Sequence, residues 1–571
     1  MTPLGARSSY QGTEKSQNGK KKHNRDKKHP ILGCLVDSGA TTAELIMPAS
    51  DLITVTRRGS ARPGEDRSAG VREFSIAIAI TAVAFALRLF RADHQSYWYD
   101  ESLSLLAARL PLAEIAQYHL QQGQEYTYPP LYTYALHAWL SIFGSTAGAG
   151  RMFSVVLGSA AVFLLYCLVR RLAGGTAGLV AASLFAVSQM GVAYSQETRA
   201  YALLFVLAIG AAWLLDVALT ERRGWAWYAF CFVSAALALT HYHSLWILIA
   251  LWGVALCAPL AELKAFPARW WTLGLGLSIG LVVPWIAAGG LSVLFETREG
   301  FAEMPSYFSA DWRTFYHVLG SYDNARWPSL MSAPPSGTAL VGLFVYGLPA
   351  VLALYPFFLV LLRRAPLNGD ERGLVLLGAA ALVCMAGPVI MSIVLSGVPY
   401  DIRYTSPGIG FYCGLVAIGV MRLEPRRVRW QAVTLMLTFG LISFNANYFK
   451  PYKENWRDSL AWVAGSVRPG DVAVFVPFGS PPNAWEVYHP AGTPLSYAPL
   501  GAVLERQPSG RVWLLAYGRV EWAAKQGRDA SAALERKGYK LVERRDYHWI
   551  TASIWERSAV VAAGDMQHPG T

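Results

Sequence analysis

The hydrophobic positions of this chain come in blocks about as long as a bilayer is thick, and the polar positions are confined to the gaps between them. About eleven such runs can be counted, at 71–91, 152–169, 176–193, 200–219, 225–240, 244–261, 270–288, 337–362, 373–396, 405–421 and 430–447. One further apolar stretch, Leu131–Phe143, is too short to span and follows Tyr128-Pro129-Pro130. It reads as a helix lying along or dipping into the membrane interface, opened by a proline suited to a first turn. After Asn447 the pattern changes. Residues 454–467 read as an amphipathic helix, strand-like runs follow at 472–477, 512–517, 539–543 and 549–555, and a helical pattern covers 522–537. The expected fold class is therefore a polytopic α-helical membrane protein with a small C-terminal α/β domain. Its expected parts are a basic, disordered tail over 1–70, a transmembrane domain over 71–449 and the α/β domain over 450–571.

Composition agrees with that pattern. The chain is 53% hydrophobic and 15% charged, with a mean hydropathy of +0.29, far from an ordinary soluble domain. A net charge of +12 is compatible with nucleic-acid binding, but its distribution argues against that. Lys20, Lys21, Lys22, Arg25, Lys27 and Lys28 cluster in the tail, where a solvated, membrane-facing role is the simpler reading. The cysteines (Cys34, Cys167, Cys231, Cys257, Cys384 and Cys413) fall in the tail or in apolar runs, with no zinc spacing and no disulfide framework. The first apolar run is long enough to span and is expected to be retained rather than cleaved.

Short basic connections set the orientation. Arg170-Arg171, Arg222-Arg223, Lys264 with Arg269, Arg363-Arg364, and Arg422 with Arg426, Arg427 and Arg429 all fall on one side if the 131–143 helix does not cross. This gives an N-inside, C-outside chain. Four polar loops then share the outer face: Asp100-Glu101 with the Tyr128-Pro-Pro-Leu-Tyr132 run, Tyr194-Ser-Gln-Glu197-Thr-Arg199-Ala-Tyr201, Thr240-His241-Tyr242-His243, and Pro399-Tyr-Asp401-Ile-Arg403-Tyr404. A long outer segment at 290–335, rich in aromatics, could lie on the membrane, cover a lipid tail or stack on sugar faces.

Adjacent acids where a spanning helix leaves the bilayer are costly unless they pair, bind or react. Asp100 and Glu101 are the candidate catalytic carboxylates, one able to act as a general base; capping of the following helix is the bland alternative. Arg403, with Tyr404, suits a lipid-phosphate group, against simple snorkelling. Glu197 and Arg199 could merely pair with each other. His241 and His243 lack a third ligand nearby, so no metal is expected.

At these residues the chain resembles the polyprenyl-phosphate-sugar-dependent glycosyltransferases of the GT-C fold, near protein O-mannosyltransferases and bacterial aminoarabinose transferases. The carriers are Trp98-Tyr-Asp100-Glu101, Tyr128-Pro-Pro-Leu-Tyr132, the 194–201 loop, Thr240-His-Tyr242 and Arg403-Tyr404, spread over about 71–450. The resemblance implies that Asp100 deprotonates or orients an acceptor hydroxyl and that Arg403 holds the donor phosphate. It implies a substrate-binding set of Tyr128, Pro129, Glu197, Arg199, His241, Tyr242, Arg403 and Tyr404. The implied reaction is inverting transfer of one sugar, mannose or another hexose or pentose, from a polyprenyl-phosphate carrier to a protein, lipid or glycan hydroxyl. It would take place on the outer face of the bacterial inner membrane and need no cofactor. The chain departs from the pattern at Tyr128, where mannosyltransferases carry His and aminoarabinose transferases Lys, so sugar and acceptor stay open. A lipid-linked sugar flippase, or a polysaccharide polymerase or ligase, is the alternative.

Overall fold

The computed structural model describes residues 67–121, 128–257, 267–290, 369–395, 400–449, 451–477, 482–488, 495–519 and 521–557, with short pieces between 310 and 362. The basic tail, most of the 290–335 segment and most of the 337–362 run lie outside the described residues.

Where apolar runs are described, they are helical. In chain order the helices are α1 (Arg67–Leu89), α2 (Tyr99–Arg109), α3 (Leu112–Gln121), α4 (Leu131–Phe143), α5 (Ala147–Ala173), α6 (Gly175–Ala186), α7 (Gln189–Ala193), α8 (Tyr201–Glu221), α9 (Gly224–Ala238), α10 (Ser244–Cys257), α11 (Ala268–Ala287), α12 (Thr314–Tyr322), α13 (Gly369–Val394), α14 (Ile409–Met421) and α15 (Arg426–Phe449). Among the described residues, six helices are long and apolar enough to cross a membrane, one of them α14 joined to the 3-10 turn Ile402–Gly408; α6, α9 and α10 are apolar but shorter. The apolar windows of α1 and α11 are only 11% and 6% buried. Helices that expose apolar side chains on most of their surface are lipid-facing. This is a multi-pass membrane protein.

The 176–193 run is not one helix. It breaks at Val187-Ser188, where the Ser188 hydroxyl accepts the Gly191 N–H and caps α7. The carbonyls of Phe185 and Ala186, at the end of α6, accept from the buried Arg88 guanidinium. Helix α4 has the predicted bounds, with Pro130 at its N-cap.

Beyond α15 the chain forms α16 (Trp456–Ser466) and a five-stranded sheet ordered β2-β1-β3-β5-β4. Strands β1 (Val472–Val476), β2 (Ser496–Tyr497) and β3 (Val512–Tyr517) run parallel; β4 (Tyr539–Tyr547) and β5 (Ile550–Arg557) add antiparallel. The sequence pattern predicts β1, β3, β5 and the long helix α19 (Glu521–Arg536) within a few residues, but it missed α17 (Asn483–Tyr488), α18 (Leu500–Arg506) and the two-residue β2. One sheet face buries Trp456, Leu460, Trp485 and Trp513; the other buries Val503, Leu514, Leu534 and Trp555. Alternation along the strands feeds both cores. Helix α17 rests on α2, and the Tyr488 hydroxyl accepts the Tyr97 N–H at 2.7 Å.

Candidate functional site

Chain direction alternates so that five segments meet at one end of the bundle. These are 97–101, 194–201, 240–243, 400–404 and the strap 451–455 that leads into α16. Arg170 with Glu73, and Arg171 with Asp216 and Glu221, lie at the other ends of their helices.

The two adjacent acids of α2 have separate fates, as residues about 100° apart on a helix must. Asp100 is 2% exposed and meets two guanidinium groups on Oδ2: Arg403 Nη1 donates to it in a very short contact, and Arg199 Nη2 lies 3.8 Å away. Arg199 is steadied by the Asp100 carbonyl at 3.2 Å and the Ser104 hydroxyl at 3.0 Å. Arg403 is presented by the 3-10 turn, whose N-cap Asp401 accepts the Arg403 N–H; Arg403 Nε also lies 3.1 Å from Asp401 Oδ2, as an ion pair without hydrogen-bond alignment. The two guanidinium planes lie over aromatic rings, Arg403 5.0 Å from Trp98 and Arg199 4.8 Å from Tyr128.

Glu101 points the other way and is fully buried. Its Oε1 accepts from Arg151 Nε at 2.9 Å and the Thr198 N–H at 3.0 Å. Its Oε2 accepts from Arg151 Nη2 and Lys453 Nζ, both at 2.8 Å. Four donors fill the acceptor capacity of a carboxylate, so no face is left for a substrate. Of the two candidate carboxylates, Glu101 is the one placed as a knot that ties the first loop to the second. Burial alone would raise its pKa, but Arg151 and Lys453 outweigh it and hold it at about 2. Arg151 is saturated too, donating to the carbonyls of Ala92, Gln95 and Ser96. Gly150 lets α5 approach this knot, since a Cβ there would lie 2.7 Å from the Tyr97 hydroxyl and 3.0 Å from the Thr198 hydroxyl.

A first prediction arises here. Arg151→Leu leaves Glu101 with one cation and costs about 3–5 kcal/mol of stability; a collapsed detergent-stable yield and a lowered melting temperature are the expected result. For Glu101→Gln, the stability gap to wild type is full above the ordinary carboxylate value of 4.5 and closes as pH falls towards about 2. Melting curves at stepped pH check the sign.

Glu197 and Arg199 do not pair with each other. Glu197 is 5% exposed, and its Oε1 lies 3.1 Å from Lys453 Nζ while its Oε2 has no partner. His241 accepts the His243 N–H on Nδ1, which places its own proton on Nε2, also unpartnered. Burial, together with His243 and the two arginines, lowers the pKa of His241 well below the usual imidazole range and keeps it neutral. Its ring lies 4.5 Å from Tyr128, and His243 stacks on Tyr404 at 3.8 Å. Pro129 is buried beside them. Tyr242 is not part of the group: its hydroxyl donates to the Gly290 carbonyl at 2.6 Å.

Trp98 Nε1, Glu197 Oε2, Arg199 Nε, Tyr201 OH and His241 Nε2 are thus buried polar atoms without partners, gathered around Asp100 and Arg403. Such orphans are normally rare, and their concentration marks a place built for a polar ligand. Sequence reasoning missed Arg151 and Lys453. Both stand outside the basic clusters of the short connections. Among the described residues no group of three or more His, Cys, Asp or Glu could hold a metal ion.

The fold is that of a multi-pass helical membrane protein with a small α/β part, its polar side chains gathered at one end of the bundle. Residues 127–287 match the family model described as dolichyl-phosphate-mannose-protein mannosyltransferase. Among solved structures the chain is similar to ArnT from Cupriavidus metallidurans in the apo state, at 14% identity and a TM-score of 0.52, covering 85% of this chain and 98% of that one. The structure of the same ArnT bound to undecaprenyl phosphate gives 13% identity and a TM-score of 0.47, over 86% and 98% of the two chains. No curated protein matches the sequence.

Proposed function

We propose that the chain is a membrane glycosyltransferase that moves a single sugar from a polyprenyl-phosphate carrier to an acceptor hydroxyl. The observation that carries this reading is Asp100 held between two buried guanidinium groups, amid unpartnered polar atoms, at the mouth of a helical bundle. A lipid-borne phosphate ester offers oxygens that Arg403 and Arg199 are suited to bind, and an adjoining sugar offers hydroxyls for Glu197 Oε2 and His241 Nε2. The family description, which names a polyprenyl-phosphate sugar donor, supports the same chemistry.

In this reaction the acceptor oxygen attacks the anomeric carbon from the face opposite the phosphate, and its proton passes to the Asp100 carboxylate. The bond from the anomeric carbon to the phosphate oxygen breaks, and its electron pair leaves with the polyprenyl phosphate. The two arginines stabilise the charge that develops there, which is why the reading needs neither nucleotide nor metal. Attack from the far face inverts the anomeric centre. Basic connections at the opposite helix ends argue that the site faces the extracytoplasmic side of a bacterial inner membrane. The 131–143 helix would then border the site at the interface. Eleven spans, counting the run at 337–362, give the N-inside, C-outside chain that this orientation needs.

The anomeric configuration of donor and product, read by NMR, tests the mechanism. Inversion, with transfer unchanged by EDTA, is the expected outcome. A retained configuration would remove the single-displacement step assigned to Asp100.

A further inference from the structure

The strap between α15 and α16 does more than connect the two parts of the chain. Its backbone and side chains are fixed against the first loop: the Tyr452 N–H donates to Gln95 Oε1 at 3.3 Å, the Glu454 carboxylate accepts from the Tyr99 N–H and from Trp456 Nε1, and the Arg457 N–H donates to the Ser96 hydroxyl at 3.1 Å. Contacts on both sides of position 453 leave its side chain one course, into the bundle end, where Lys453 is 5% exposed. Its ammonium lies 2.8 Å from Glu101 Oε2 and 3.1 Å from Glu197 Oε1.

Glu101 has a full counter-ion in Arg151 without Lys453. Glu197 does not: among the described residues Lys453 is the one cation in ion-pair contact with it. We propose, resting on the transfer reaction above, that Lys453 is a positioning residue, which fastens Glu197 Oε1 so that Oε2 is held toward the bound sugar. The reacting centre is then completed by the strap of the C-terminal domain and not by the membrane helices alone. Lysine suits the task because a compact ammonium with three donors can bridge two carboxylates from different loops.

The groups facing Glu197 give the idea a signature. They are Lys453 on the strap, Glu101 on α2, Arg403 on the 3-10 turn, and the phenols of Tyr132 on α4, Tyr194 and Tyr452. Burial raises the pKa of Glu197, Lys453 draws it down, and Glu101 raises it again. Without Lys453 the first and third effects remain against the more distant Arg403. Glu197 then takes up a proton at a higher pH than in the wild type, and a misplaced or protonated group costs rate.

The test is steady-state sugar transfer by the full-length protein in detergent, across pH, for wild type, Lys453→Met, Glu197→Gln and the double variant. Lys453→Met is expected to lose about 10²-fold in kcat near neutral pH, with donor KM nearly unchanged and partial recovery on the alkaline side. Glu197→Gln is expected to lose a similar factor without the alkaline recovery. If Lys453→Met does not fold, the double variant, which buries no unpaired charge, carries the test: it should match Glu197→Gln in rate and pH profile. Wild-type transfer together with full activity of the double variant, or with a Lys453→Met profile parallel to wild type, would overturn the role of Lys453 alone. A wild type that transfers no sugar from any donor would overturn the transfer reaction itself, and this inference with it.

Discussion

Asp100→Asn is expected to abolish transfer, lowering kcat by about 10²–10⁴-fold while the protein still folds and still binds donor. Asn keeps the shape and can still accept a hydrogen bond through its amide oxygen, so the packing of α2 against the second loop survives. What is lost is the ability to take the acceptor proton and the charge facing Arg403 and Arg199. Folding of this variant does not depend on the Glu101 knot, which has its own four donors. The measurement is single-turnover transfer with enzyme in excess, alongside a donor-binding titration. Loss of turnover with binding retained is the outcome expected of a group that acts on the reacting atoms.

Arg403→Ala carries the second large effect, a fall of about 10²–10³-fold in kcat/KM, expressed in both kcat and donor KM. The guanidinium would touch the phosphate in the ground state and more strongly as the leaving group gathers charge, so both constants move. Arg403→Lys restores the charge but not the planar fork, nor the stacking over Trp98, and should recover only part of the loss. Because Arg403 and Asp100 share one ion pair, the double variant Asp100→Asn/Arg403→Ala should lose less than the product of the two single losses. A strictly multiplicative loss would mean that the two groups act in separate places.

The features read from sequence succeeded where the physics is local. Apolar runs of bilayer length gave the helices, the bounds of α4 were legible, and a short continuous apolar run of strand length gave β3 to the residue. Order along the chain and the positive-inside rule brought Asp100, Glu197, Arg199, His241 and Arg403 to one set of loops, and the structure gathers them at one end of the bundle. What stayed hidden depends on side-chain direction and distant partners. Nothing local says that Asp100 turns toward Arg403 while Glu101 turns toward Arg151, because the answer lies in residues 303 and 50 positions away. The break between α6 and α7 was masked by a continuous apolar run; a serine cap and the Arg88 guanidinium make it. Tyr242 looked equivalent to its histidine neighbours until the close of α11 claimed its hydroxyl. Lys453 lies outside every motif and gains meaning only from the two carboxylates it bridges.

The most direct test of the central claim is transfer of radiolabelled sugar by the purified protein, offered a panel of polyprenyl-phosphate sugars and a membrane extract as acceptor. The account predicts that label leaves at least one donor for the extract with wild type and stays on that donor with Asp100→Asn. Donor binding without transfer by wild type would contradict the account and point to a lipid-linked sugar flippase, whereas undiminished transfer by Asp100→Asn would remove Asp100 from the chemistry.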